Sequence, residues 1–297
     1  MQVRSCEAPC SALVSVVLTP LTNDIAHAGM LRLVLSNAMC SKKARQALSD
    51  KLILVGDSPS CNSAAARVAE ACEHVYDEHS PASAFSATPK HFKDEYFSIF
   101  QPLGYDIAGL ELKPRTAAML LSLLQLKPSD HFVDLGSAGG RLVLTAALLS
   151  PVGRATGVEL SPSRVEDARR ALGRLASVDG PAWAQSMQLT ERVSLVQGDL
   201  FEANLDGATV VWCAIRPVSG RRLATRLLSQ LRRTIPPGGS MRVLLPAFLL
   251  PSDEPGVTLR GGYVFSDGPG DTQAAQLYGD GKLGGPRVVL DYLLKYV

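Results

Sequence analysis

The sequence predicts an α/β fold organised on a mainly parallel sheet, and three observations carry that prediction. Between residues 131 and 245, short β-branched or apolar runs alternate with helical runs at the spacing of βαβ units. A turn of small residues, Gly136-Ser-Ala-Gly139-Gly140, separates the first of these strands from the helix after it. The tail differs: Val257–Phe265 and Arg287–Tyr296 are β-rich, with glycine loops between them and no long helix, which suits a closing antiparallel pair.

Bulk properties narrow the class. A chain of 297 residues, 46% hydrophobic and 20% charged, can bury a sizeable core as one large domain or two ordinary ones. The net charge of +2 provides no global field toward nucleic acid, so any basic surface must be local. Cys6, Cys10, Cys40, Cys61, Cys72 and Cys213 form no CxxC pair and no zinc or disulfide framework, which points to reduced thiols in an intracellular compartment and to no metal site. No apolar run reaches the roughly 18 residues of a membrane span, and Ala12–Leu18 is too short for a secretory signal to be expected.

In chain order, residues 1–95 read as an alanine-rich helical appendage. It has a loosely held start, a helix from Asn23 or Asp24 to about Asn37 and a basic helical piece from Ser41. A strand at Lys51–Val55, a helix at Ser60–Ala71 and a Ser/Pro/His-rich loop at His79–Lys90 follow. The aromatics Phe92, Tyr96, Phe97, Phe100 and Tyr105 then suit a seam between the appendage and a main domain over 96–297. Pro114 leads into a helix from Arg115 to about Leu126, with the proline near its first turn. Strand 131–135, helix 140–149 and strand 154–160 come next. Ser161-Pro162 starts a helix to Ala176, and Ser163-Arg-Val-Glu166 has the form of a capping box. After a loop come strands 192–197 and 209–214, a helix over 220–233, the turn Pro236-Pro-Gly-Gly239 and strand 240–245.

In an open α/β sheet the ligand lies beyond the carboxyl ends of the strands. Asp134, Glu159 and Asp199 all fall there. Glu159 comes nineteen residues after Gly140, close to the spacing that sets an acid beside a ribose diol, and a carboxylate there disfavours a 2′-phosphate and hence NADP. Asp199, in Gln-Gly-Asp-Leu-Phe, suits an exocyclic amine, with Leu200 and Phe201 packing an aromatic ring. Each acid alone has a plain alternative as a loop cap; three at strand ends are harder to dismiss. The G-x-G-x-x-G spacing of dinucleotide sites is not met, which argues against nicotinamide.

Taken together, Asp134-Leu-Gly136-Ser-Ala-Gly-Gly140, Gly-Val-Glu159-Leu-Ser, Gly198-Asp199-Leu and Pro237-Gly238-Gly239 resemble the class I S-adenosylmethionine (SAM) methyltransferases over about residues 110–250. The resemblance implies a Rossmann-like, seven-stranded sheet ending in an antiparallel hairpin. It also implies SAM as cofactor, held by Asp134, Gly136, Ser137, Gly140, Glu159, Asp199 and Leu200. Phe-Val-Asp134-Leu-Gly-Ser and Gly-Val-Glu159 look most like the disruptor-of-telomeric-silencing (Dot-like) histone lysine methyltransferases. Val75-Tyr76 and the aromatic connector agree with that layout. Glu111 stands twenty-three residues before Asp134, where that family carries a glutamate in a loop over the cofactor, which implies a cofactor and catalytic role for it. There are departures. Leu110 and Ala138 replace glycines, and Ala214-Ile-Arg-Pro217 replaces Asn-Asn-Phe; Ile215-Arg216-Pro217 is closer to a group of mitochondrial protein-lysine methyltransferases.

The expectation is a nuclear SAM-dependent protein lysine N-methyltransferase acting on a core histone. The alternatives are a mitochondrial lysine methyltransferase and a non-catalytic methyltransferase fold that binds a macromolecular assembly. A sulfonium is already activated, so in-line positioning supplies most of the acceleration. A lysine acceptor must first lose its proton from a reference pKa of about 10.4, which a desolvated aromatic channel favours. Trp212, Phe248, Tyr263 and Tyr278 are candidates for that channel, with core packing as the plain alternative. The one local basic feature is Arg216, Arg221, Arg222, Arg226, Arg232 and Arg233, with no acid among residues 216–233 and with Leu223, Leu227, Leu228 and Leu231 on the other face. It suits phosphates or an acidic protein patch, with Lys42-Lys43-Arg45 as a second contributor.

Overall fold

The computed structural model describes residues 52–55, 62–76, 94–103, 112, 114–177, 180–213, 221–246, 250, 254–265 and 287–297. The helices expected near residues 23–37 and from Ser41, and the loop at 79–90, lie outside these. Among the described residues no helix is long and apolar enough to cross a membrane.

The strands are β1 (Leu52–Val55), β2 (His131–Leu135), β3 (Arg154–Glu159), β4 (Val193–Gln197), β5 (Val210–Cys213), β6 (Ser240–Pro246), β7 (Val257–Phe265) and β8 (Arg287–Lys295). They form a single sheet in the order β1-β7-β8-β6-β5-β2-β3-β4. The central strands β6, β5, β2, β3 and β4 run parallel, and β8 enters antiparallel between β6 and β7. Seven of these strands are the ones the resemblance implies for the sheet, and β1 is the strand the sequence places at Lys51–Val55 in the appendage. Among the described residues the sheet has eight because β1 adds in parallel to the outer side of β7, from Leu52 opposite Gly262 to Val55 opposite Phe265. Its backbone groups cover an edge that would otherwise be left unpaired.

The helices are α1 (Asn62–His74), α2 (Pro114–Leu124), α3 (Arg141–Leu149), α4 (Pro162–Ala176), α5 (Ala182–Gln185), α6 (Leu189–Arg192) and α7 (Arg221–Thr234). A π-turn over Tyr96–Phe100 runs into a 3₁₀ turn over Gln101–Leu103. The strands alternate sides by their period of two. Phe132, Val210 and Trp212 join Val68 and Cys72 of α1, Leu120 and Leu121 of α2 and Val143 of α3 in one core layer. Val133, Leu135, Val211 and Cys213 join Leu227, Leu228 and Leu231 of α7 in the other. Burial on both faces explains why β2 reads as a near-continuous apolar run. Thus β1 and α1, which the sequence assigns to an appendage, are built into this sheet and core.

Local signals mostly translate, with two corrections. The cap of α4 is Ser161, whose hydroxyl accepts from the Arg164 amide at 3.2 Å, and not a box from Ser163 to Glu166. Pro162 has no N–H to satisfy and a φ suited to the first helical position, which makes the residue before it the cap. The stretch read as a loop before β4 contains α5 and α6. Arg192 closes α6 and gathers carbonyls at the end of α3: Ala147 at 3.1 Å, Ser150 at 3.0 Å and Val152 at 2.8 Å. A cation suits the negative end of a helix.

The strand junction at the far side is held by a buried ion pair. Arg242 on β6 donates to Asp291 on β8 through Nε at 3.0 Å and Nη2 at 2.8 Å. Nη2 also donates to the Tyr263 hydroxyl on β7 at 2.8 Å, and Nη1 to the Leu124 carbonyl that ends α2 at 2.9 Å. Burial pushes the Tyr263 hydroxyl above the ordinary phenol range, so it stays neutral. Tyr263 therefore serves this junction, although the sequence nominates it for an acceptor channel.

Two stability outcomes are expected. Asp291→Ala strands a buried guanidinium and should cost about 3 kcal/mol in urea unfolding, whereas the paired replacement Arg242→Met with Asp291→Leu should cost far less; equal costs would refute the assignment. His131 is held neutral by burial and by nearby Arg154, with its Nε2 2.9 Å from the Thr156 hydroxyl. Its folded pKa lies below the unfolded value of about 6.5, so the unfolded chain takes up a proton first. Thermal stability should therefore fall as pH drops through 6.5, and His131→Gln should flatten that part of the profile.

Candidate cofactor site

The site lies where β2, β3 and β4 end. Asp134 is buried near the end of β2, beside Trp212 of β5 on one side and Gly157 of β3 on the other. The chain then turns back over β3, and the Gly136 and Ser137 amides donate to the Val158 carbonyl at 2.8 and 3.0 Å. That approach needs glycine at 157: a Cβ there would come within 2.7 Å of the Ser137 hydroxyl. Gly136, Ala138 and Gly140 all take positive φ, at 85°, 48° and 77°. Ala138 thus keeps the left-handed turn that a glycine would adopt more easily, at a cost of about 1 kcal/mol.

Glu159 ends β3 and is 4% exposed. Its Oε2 accepts from the Ala138 amide at 2.8 Å and its Oε1 from the Ser161 amide at 2.9 Å. The carboxylate therefore ties the turn to the start of α4. A carboxylate has about four acceptor positions, and two are used here. The Gly198 amide bonds the Glu159 carbonyl at 2.9 Å, which sets the Asp199 loop alongside. Asp199 accepts from the Phe201 amide at 2.9 Å, and Leu200 and Phe201 are buried beneath it.

Three supporting contacts of this site escaped the sequence reading, although Tyr76 itself is singled out there for the family layout. Glu95 reaches the start of α4: the Ser161 hydroxyl donates to its Oε2, the Ser163 hydroxyl donates to the same oxygen at 3.0 Å, and the Ser163 amide donates to Oε1 at 3.2 Å. A carboxylate there suits the positive end of a fifteen-residue helix. Nothing near Glu95 in sequence signals a partner 66 residues away. Gln230 of α7 is buried and donates to the Leu200 carbonyl at 2.6 Å, pinning the Asp199 loop. Its signal was a polar residue on the leucine face of α7. Tyr76 donates its hydroxyl to the Gly139 carbonyl at 2.6 Å.

The remaining sequence candidates disperse. Glu111, Phe248, Tyr278 and Arg216 lie outside the described residues. Trp212 is 2% exposed in the core layer under α1, α2 and α3, which is the packing alternative. Arg221 and Arg222 open α7. Arg226 stacks on the Phe201 ring at 4.2 Å and pairs with Glu202 at 3.2 Å. Arg232 pairs with Glu254 at 3.0 Å, while Arg233 is exposed. Acids from outside residues 216–233 thus engage two of the arginines. Cys72 and Cys213 are both buried, and burial pushes the Cys72 thiol up to about 11, so it is no nucleophile at neutral pH.

Residues 95–209 match the family model described as "Histone methylation protein DOT1". A protein-lysine N-methyltransferase of Saccharolobus islandicus (strain REY15A) is 29% identical over 113 residues, which is 38% of this chain and 63% of that protein. Among solved structures, an RNA methyltransferase from Salinibacter ruber in complex with S-adenosyl-L-homocysteine is 25% identical at a TM-score of 0.41, covering 62% of this chain and 93% of its own. A SAM-dependent methyltransferase from Thiobacillus denitrificans, also with S-adenosyl-L-homocysteine, is 16% identical at a TM-score of 0.41, covering 70% and 98%. The donor set fits SAM. Glu159 keeps acceptor positions for ribose hydroxyls, Asp199 stands on the next strand end for an exocyclic amine, and Leu200 offers an apolar contact for the ring.

Glu95 and Glu159 should separate in effect. Glu159→Ala removes the carboxylate expected to accept from the ribose and should weaken S-adenosylhomocysteine binding about ten-fold or more in calorimetry. Glu95→Ala acts through Ser161 and should weaken it by a smaller factor, about three- to five-fold. An unchanged affinity in Glu159→Ala would mean that the ribose lies elsewhere.

Proposed function

We propose that this class I SAM-dependent methyltransferase is a protein lysine N-methyltransferase whose acceptor is a core histone. The observation that carries the reading is the match of residues 95–209, the stretch that holds most of the cofactor site, to a histone-methylation family model. The 29% identity to a protein-lysine N-methyltransferase supports the lysine acceptor. Left-handed Ala138 supports SAM binding, because the turn keeps its geometry without the motif glycine.

Bound SAM supplies a sulfonium that already activates its methyl group. The chain's part is positioning. Glu159 holds the ribose, Asp199 the adenine amine and Leu200 the ring face, while Glu95 and Gln230 keep the helix start and the loop that carry them in place. No side chain need attack; holding acceptor and donor in line supplies the acceleration. The acceptor lysine must arrive neutral, which a water-poor approach favours. We assign that approach to Glu111 on the family resemblance and to Phe248 as an aromatic suited to a desolvated channel. The exposed Arg233, with Arg221 and Arg222 at the start of α7, would meet phosphate or an acidic histone surface, and a nuclear address follows from that acceptor.

Transfer of a tritiated methyl group from SAM, offered nucleosomes, free histones, RNA and a mitochondrial extract, tests the reading. Label on a histone lysine is expected. Label confined to RNA or to a mitochondrial protein would overturn the histone assignment, and retained S-adenosylhomocysteine binding with no label anywhere would favour a binding protein.

A further inference from the structure

We propose that Tyr76 is a positioning residue for the cofactor turn: its hydroxyl, by holding the Gly139 carbonyl, keeps Ala138 in the left-handed conformation that the SAM site requires. The inference rests on the SAM reading for its functional consequence, but its geometry stands on its own.

An L-residue at a φ of 48° tends to relax out of that region unless its neighbours hold it. Here the backbone is gripped on both sides of the strained residue. On one side the Ala138 amide is fixed to Glu159 Oε2 at 2.8 Å. On the other, the Gly139 carbonyl accepts from Tyr76 Oη at 2.6 Å. The first grip comes from β3, inside the motif. The second comes from the end of the α1 segment, 63 residues upstream. Gly139 is buried, so water is a poor substitute for that hydroxyl.

Tyr76 is itself held firmly enough to impose a geometry. The Arg141 guanidinium, at the first position of α3, lies over its ring at 4.5 Å from the centroid. The preceding Val75 is buried in the core layer, and its carbonyl accepts from Arg174 of α4 at 2.9 Å. The segment carrying Tyr76 is thus tied to the helix after β2 and to the helix after β3. A glycine at position 138 would adopt this turn without such support. The alanine makes the turn depend on an outside brace.

Tyr76→Phe keeps the ring under Arg141 and removes only the hydroxyl. Two readouts on the full chain test the proposal, each with and without Ala138→Gly: the exchange rate of the residue-138 amide by NMR with no ligand, and calorimetric affinity for S-adenosylhomocysteine. With Ala138 present, Tyr76→Phe should speed exchange and raise Kd, each about five-fold, the ratio for losing one neutral hydrogen bond. In the Ala138→Gly background the same change should alter both by less than about two-fold. Equal losses in the two backgrounds, or none with Ala138 present, would overturn the brace. If exchange responds as expected and no form binds S-adenosylhomocysteine, the brace stands and the SAM reading falls. If all forms bind and exchange is indifferent to Tyr76→Phe, the brace falls and the SAM reading stands.

Discussion

The carboxylate of Glu159 is the constraint on which the site depends. It leaves the end of β3 and divides its two oxygens between the amide of Ala138, in the turn after β2, and the amide of Ser161, at the start of α4. Two βα units are thereby joined at their ligand-facing ends by one buried side chain. Everything else at the site builds outward from it. Gly157 lets the turn approach β3, Ser161 caps α4, and the Gly198 amide on the Glu159 carbonyl carries the constraint across to the Asp199 loop. Because the group is buried and charged, it is tolerable only with these donors in place.

A second set of polar contacts closes the sheet away from the ligand. Arg192 collects the carbonyls where α3 ends, and Arg242 takes the last carbonyl of α2 while bridging β6, β7 and β8. Both put a guanidinium against backbone carbonyls where helices have unpaired acceptors. At the carboxyl edge the signs are reversed: Glu95 meets the amide end of α4. The molecule thus has a cation-stapled edge and an anion-stapled edge, and the proposed cofactor site lies at the second.

What was legible in the sequence follows from range. The strands β2, β3, β5 and β6 and helix α4 stand out because period and punctuation are local: Phe-Val-Asp-Leu before glycines, Ser-Pro before a helix. Asp134, Glu159 and Asp199 could be placed at strand ends for the same reason. Glu95, Tyr76 and Arg192 could not, since the first two act on groups more than sixty residues away and the third looks like any surface arginine. Trp212 shows the opposite error. A tryptophan at a strand end invites a binding role, yet its neighbours across the sheet bury it among core aliphatics. The arginine run was legible as charge, but its partners Glu202 and Glu254 sit outside the run and were invisible from within it.

The pairing of β1 with β7 has a consequence for how the chain comes into being. Leu52 finds its neighbour only when Gly262 exists. At synthesis rates of about 5–20 residues per second, the first strand waits roughly 10 to 40 s for its partner. Meanwhile the central βα units can condense among themselves, since their contacts are closer in sequence. The outer strand therefore joins late in a topology of high contact order, and for that interval its unpaired backbone is a surface that chaperones, or other chains, can reach first.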